Sequence, residues 1–352
     1  NVALGDTALD SIASGGTRNT AIGFSAGTAL TTQDYNVFVG SYSGDGATGS
    51  GNVAVGDVTL RNASGDYNTA IGGEALNSNT TASNNTAVGY QSLYANTTAT
   101  NNTAVGWAAG LANTTGAQNT FIGTISGDAN TTASHNTAVG YSTLTDNTTG
   151  AAGTALGAYA LANSTTGNDN VATGYQALFT NTTGAFNTAH GSQALRGNTT
   201  ADNNTAVGHQ AGYSNTTGQR IVAVGKGALY THNVTDASAT NNVSVGYESS
   251  YSTTTGTDNT VLGSSTFYSN TTGGYNVALG RLALYSNTTA NNNTAVGYEA
   301  AYTNTTGTEL TAIGRRSLKS NTTGNYSTAV GLNSLVFNTT GANNVAVGVS
   351  AL

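Results

Sequence analysis

Gly23-Phe24-Ser25-Ala26-Gly27 has the G-x-S-x-G form that sets a serine nucleophile on a sharp turn. Acyl transfer at such a serine needs a strand-to-helix turn and His and Asp partners. Gly44, Gly46 and Gly49 match G-x-G-x-x-G, a spacing that cradles a pyrophosphate when a helix comes next. Instead, the chain continues into Asn52-Val53-Ala54-Val55-Gly56, a run that recurs along its whole length. Gly23 and Gly27 belong to the same recurring pattern, so both matches read as by-products of a repeat. His135, His190, His209 and His232 fall at unrelated places in that repeat, which argues against a metal site. The Asp and Glu residues form no calcium-loop pattern. The chain therefore reads as a non-enzyme, with no catalytic residue, metal or cofactor expected.

The repeat is marked by a glycine closing a short apolar run, as at Gly89, Gly106, Gly123 and Gly140. From Gly72 onward the interval is 17 residues, except between Gly225 and Gly246, where it is 21. That longer interval places a four-residue insertion within 231–240, and the first repeats, 1–67, are irregular. Positions 1 to 17 read Asn-Thr-Ala-Val-Gly-Tyr-x-Ala-Leu-x-x-Asn-Thr-Thr-Gly-x-Asn, and Asn85 to Asn101 is one copy. A period this short excludes pairs of packed helices, whose repeats run to about 33 residues or more.

Within this frame, three sets of side chains carry possible chemistry. Asn-Thr-Thr at position 12 is an N-glycosylation acceptor sequence, at Asn79, Asn96, Asn113, Asn130, Asn147 and later copies. Aromatic residues recur at position 6 (Tyr90, Trp107, Tyr141, Tyr175, Tyr247, Tyr298) and near position 10 (Tyr94, Tyr213, Tyr230, Tyr268, Tyr285). Exposed rows of rings can stack on sugars or on other fibres. The paired threonines, such as Thr97 and Thr98, suggest a Thr ladder of the ice-binding kind. They are adjacent and in a turn, however, so their side chains should diverge.

The elements that position these residues are set by composition. The repeat is rich in Thr, Asn and Gly, with Val or Ile in the apolar slot, and favours strands and turns over helix. Thr86-Ala87-Val88 and Ser92-Leu93-Tyr94 read as two short strands joined by turns at Gly89 and at Asn96-Thr97-Thr98. The expected fold is all-β: a parallel β-solenoid (β-roll) of about 21 coils, one array over 1–352, with 17 residues and two short strands per coil. Coils stacked at about 4.8 Å bring like residues into ladders. Asn85, Asn102, Asn119 and Asn136 should form one ladder, and Gly89, Gly106, Gly123 and Gly140 another. Positions 4 and 9 are expected to point inward as a thin core, represented by Val88, Leu93, Val105, Val139, Leu144 and Leu178. Small residues at positions 3, 5 and 8 would then line the opposite face. Another chain could pack closely there, with Phe38, Phe121 and Val261 plugging local gaps.

Charged residues make up 7% of the chain, which argues against a disordered polyelectrolyte. The net charge of −7 is spread thinly and forms no basic stripe, so no nucleic-acid partner is expected. No apolar run is long enough to span a bilayer as a helix. There is no Cys, Pro or Met. Asn1 and Leu352 both lie inside repeats, so the chain reads as a piece of something longer.

The pentad Asn-Thr-Ala-Val-Gly resembles the Asn-Ser-x-Ala-Ile-Gly signature of trimeric autotransporter adhesin heads of the YadA type. The fuller repeat, as in Asn85 to Gly106 and Asn276 to Gly297, resembles tail-fibre-domain proteins of phages and bacterial surfaces. The adhesin-head repeat is the shorter of the two. The resemblance covers essentially the whole chain. It implies a homotrimeric left-handed β-roll, outside the cell or on a virion, holding a binding tip away from a surface. The expected function is a structural shaft of an extracellular fibre, surface filament or phage tail fibre, self-associating as a homotrimer or filament. The alternatives are an adhesin that binds surface glycans through lateral aromatic ladders, and an ice-binding protein.

Overall fold

In the computed structural model, residues 1–12, 15–236 and 238–352 are described. The chain forms two compact units, Asn1–Asn170 and Val171–Leu352. The first carries ten strands, from β1 (Val2–Leu4) to β10 (Thr154–Leu156). The second carries eleven, from β11 (Val171–Thr173) to β21 (Val345–Val347). The fold is a parallel β-solenoid, one coil per repeat, with no helix among the described residues. Pairing is parallel and in register: β6 (Thr86–Val88) lies beside β7 (Thr103–Val105), with Thr86 opposite Thr103 and Val88 opposite Val105. Across the insertion, β14 (Val222–Val224) pairs with β15 (Val243–Val245) in the same register, so the stacking of the strands is kept. Ala237 in that insertion, and Ala13 and Ser14 in the irregular first repeats, lie outside the described residues.

Among the described residues each coil contains one strand, not two. The segment expected as a second strand, Ser92–Tyr94, is a run of turns. Gln91 and Leu93 are left-handed, with φ of 55° and 50°. Two left-handed residues bend the chain within a few positions, and an extended segment there would not close a 17-residue circuit. The turn is nonetheless paired from coil to coil: Gln91 N–H donates to Gly73 O, Leu93 to Ala109 O and Ala95 to Leu111 O, at 2.9–3.0 Å. A left-handed residue other than glycine costs about 1–2 kcal/mol. Burying a leucine side chain contributes about 1.5–3 kcal/mol, and Leu93 has no exposed surface. Five coils carry Gly at position 9 instead, at φ of 60–61°.

The core is also the reverse of the expectation. Ala at position 3 is buried, whereas positions 2 and 4 face outward: β6 and β7 bury only Ala87 and Ala104. Leu93, Leu144 and Leu178 lie inside. Val88 and Val139 are half-exposed, and Val105 is 36% exposed. The interior of most coils holds one large side chain, from position 9, facing small ones at positions 3 and 8. A branched side chain at position 4 fits only on the outside. The small residues thus line the interior rather than an outer face.

Phe38, Phe121 and Val261 are buried at position 3. Phe121 lies between Gly110 of the preceding coil and Gly127 of its own, and a Cβ on Gly110 would come 2.8 Å from the ring. Phe38 lies the same way against Gly27 and Gly44. At Gly212 the space is shared by Leu195 of the preceding coil and Ile221 of the next, at position 1. Leu310, also at position 1, shares a buried cluster with Ala301. Loss of a leucine at position 9 is thus compensated nearby.

Candidate interaction surfaces

Two asparagine ladders run inside the coils. At position 1, Asn102 N–H donates to Asn85 Oδ1, Asn119 to Asn102 and Asn136 to Asn119, each at 2.9 Å. At position 12, Asn113 Nδ2 donates to Asn96 Oδ1 at 3.0 Å, Asn130 to Asn113 at 2.7 Å and Asn147 to Asn130 at 2.9 Å. Both ladders converge on the carbonyl at position 15: Asn102 and Asn113 both donate to Gly116 O at 2.9 Å. That uses both lone pairs of a buried acceptor.

This ladder argues against the glycosylation reading of Asn79, Asn96, Asn113, Asn130 and Asn147. All five are buried, and their amides bond within the stack. The turn sequence that resembles an acceptor site points its asparagine inward. The next residue's hydroxyl is engaged too: Thr97 Oγ1 donates to Thr114 O at 3.2 Å, and Thr114 to Thr131 O at 3.0 Å. In the glycine column, a Cβ on Gly89, Gly106 or Gly123 would overlap the carbonyl of the next coil's glycine.

The outward face of the strands is a sheet surface of uniform composition. In the first unit, all residues at positions 2 and 4 are Thr, Val, Ile or Leu, from Val2 and Leu4 to Thr154 and Leu156. None is charged. The second unit repeats the pattern except at His190, with Thr173 the other polar residue at position 4. Away from the first and last coils, exposure of the position-4 side chains reaches 40% at Ile71 and Ile313 and 52% at Leu262.

The aromatic positions divide into two kinds. At position 6, Tyr90, Trp107, Tyr141, Tyr175 and Tyr247 stand 46–53% exposed. At position 10, Tyr213, Tyr230, Tyr251, Tyr268, Tyr285 and Tyr302 form one stack in the second unit. Ring centroids are 4.9–5.3 Å apart and planes within 13° of parallel. Arg196 lies over both Phe179 and Tyr213, at 5.4 and 5.7 Å from the ring centroids. At the other end Lys319 lies 6.0 Å from the Tyr302 centroid and 2.8 Å from Glu299. Lys319, with Tyr298 and Arg316, holds the Glu299 carboxyl down to about 2. Burial, then neighbouring tyrosines and Glu248, raise the Tyr251 and Tyr268 phenols above their usual range. Tyr251 and Tyr302 were missing from the position-10 set read in the sequence. Their signal is the 17-residue interval that links Tyr251 to Tyr268 and Tyr285 to Tyr302.

The remaining motifs resolve as parts of the coil. Ser25 is a left-handed turn residue (φ 53°) whose Oγ lies 2.9 Å from Thr7 Oγ1. Gly44 packs on Phe38, and a Cβ on Gly49 would overlap the Gly65 carbonyl. His232 takes the place of a ladder asparagine at position 12. It is fully buried, with no hydrogen-bond partner on either ring nitrogen, and burial lowers its pKa to about 4. Among the described residues no group of His, Cys, Asp and Glu could hold a metal ion, and no helix is long and apolar enough to cross a membrane. The chain matches no protein-family model and no curated protein.

Proposed function

We propose that the protein is a structural shaft of an extracellular fibre, surface filament or phage tail fibre, without enzymatic activity, and that copies associate along the outward face of their strands. The observation that carries this reading is the uncharged row of Thr, Val, Ile and Leu at positions 2 and 4, unbroken over ten coils of the first unit. Position 4 within it is an unbroken row of Val, Ile and Leu, and a long exposed apolar row of this kind marks an interaction site. Every repeat supplies the same surface, so a second copy of the chain meets it in register. The resemblance to trimeric adhesin heads and tail-fibre proteins points the same way. Hydrogen-bonded coils suit a stiff support, and nine Lys and Arg leave few tryptic sites.

Light scattering on the intact chain tests the reading. The expected result is an oligomer, reduced to monomer by Val105→Asp with Val139→Asp while the circular dichroism is unchanged. A monomeric, compact parent chain sinks it. A second reading, an adhesin for surface glycans, is favoured by the exposed rings of Tyr90, Trp107 and Tyr141. Glycan-array binding that survives their joint change to Ala removes it.

A further inference from the structure

We propose that the tyrosine stack of the second unit is a site of oxidative cross-linking, at which peroxide and a haem peroxidase join neighbouring coils through dityrosine bonds. Tyr213, Tyr230, Tyr251, Tyr268, Tyr285 and Tyr302 are held at centroid separations of 4.9–5.3 Å, with planes 2–13° apart. All six are half-exposed, so oxidant reaches the phenols while the coil holds the rings together. Fixing two reactants side by side replaces a bimolecular encounter with a far faster intramolecular one.

The chemistry balances with peroxide as oxidant. Two neighbouring phenols each give up one electron and one proton. The resulting phenoxyl radicals form a carbon–carbon bond between ring carbons ortho to oxygen. The hydrogens at those carbons move to the oxygens and restore both aromatic rings. Hydrogen peroxide takes up the two electrons and two protons and leaves as two waters.

The surrounding chain makes the stack distinctive. Tyr67, Tyr275 and Tyr326 are more exposed, at 68, 64 and 61%, yet none stacks on another ring among the described residues. The chain has no cysteine, so no disulfide can staple its coils. A dityrosine between Tyr251 and Tyr268 would do so on the same rung-to-rung path as the backbone hydrogen bonds Ser250 N–H to Thr266 O and Ser252 N–H to Tyr268 O. The proposal is independent of self-association, because each link lies within one chain.

The test treats an equal mixture of ¹⁵N-labelled and unlabelled full-length chains with hydrogen peroxide and a haem peroxidase, and then maps the peptides. Linked peptides should join consecutive members of the stack, lack two hydrogens per link and carry a single isotope. Tyr251→Phe keeps a stacking ring but no phenol. It should abolish the Tyr230–Tyr251 and Tyr251–Tyr268 links and leave the other three. Links that are mainly mixed-isotope, or that favour Tyr67, Tyr275 or Tyr326, overturn the proposal. So does a Tyr251→Phe chain whose total link yield is unchanged.

Discussion

The Phe121 ring lies against Gly127 of its own coil, in the space that a leucine at position 9 fills in neighbouring coils. Its other side meets Gly110, one coil earlier, so a single ring stands in for two leucines. Phe121→Ala is expected to cost about 3–5 kcal/mol, seen as a lower denaturation midpoint. Adding Gly110→Leu and Gly127→Leu to that variant should recover most of the loss, because it recreates the arrangement of ordinary coils. Gly127→Leu with Phe121 retained should overpack and destabilise. A triple variant no more stable than Phe121→Ala would show that the ring and the leucines are not interchangeable.

The two apolar residues of a repeat should differ sharply in what their loss does. Leu93→Ala removes a buried side chain and should cost about 2–5 kcal/mol. Val105→Ala trims a side chain on the outer face and should change monomer stability by about 0.5 kcal/mol or less. Urea titrations below any association threshold make the comparison. Equal effects would place position 4 back in the core.

Asn113 tests the ladders. Asn113→Ala leaves the Asn96 and Gly116 oxygens short of a donor in a buried setting, at a cost of about 1–3 kcal/mol. Intact mass of the chain secreted from a glycosylating host should show no glycan at Asn96, Asn113 or Asn130. A glycan at any of them would mean that the ladder opens before the coil closes.

His232 and Asp128 should give the two units opposite responses to acid. Burial lowers the His232 pKa to about 4, so the fold favours the neutral ring. Below about pH 6.5 the unfolded chain takes up a proton that the fold refuses. Stability contributed at this site is therefore full above pH 6.5 and falls as pH drops toward 4, by about 3 kcal/mol. His232→Asn should abolish the dependence and supply a ladder amide beside Asn215, whose Oδ1 has no partner. Asp128 runs the other way: burial raises its pKa to about 6. Its contribution is full below its unfolded value near 3.8 and is lost as pH rises through 6. Hydrogen exchange measured across pH 4–7 resolves the two units. Parallel behaviour in both would contradict these assignments.

Much of the architecture was legible in the repeat. The marker glycines and position-1 asparagines already implied parallel, in-register coils, because only stacking explains why Gly89 and Asn85 recur at one interval. The candidate surfaces were less legible. Tyr230 and Tyr251 are 21 residues apart, the same lengthened interval as Gly225 to Gly246, but the interval alone does not say that their rings stack. Asn96 sits in a turn sequence that reads as surface, and its burial depends on the carbonyl at position 15 turning inward to meet it.

Strand alternation alone determined that positions 2 and 4 share one face and position 3 takes the other. It could not say which face is inside. That was decided by closure of the circuit: left-handed residues such as Gln91 and Leu93 bend the far wall inward, and Leu93 then fills the space opposite Ala87. The Ala87 methyl group fits beneath it, so alanine is the usual core residue and Val88 is left facing outward.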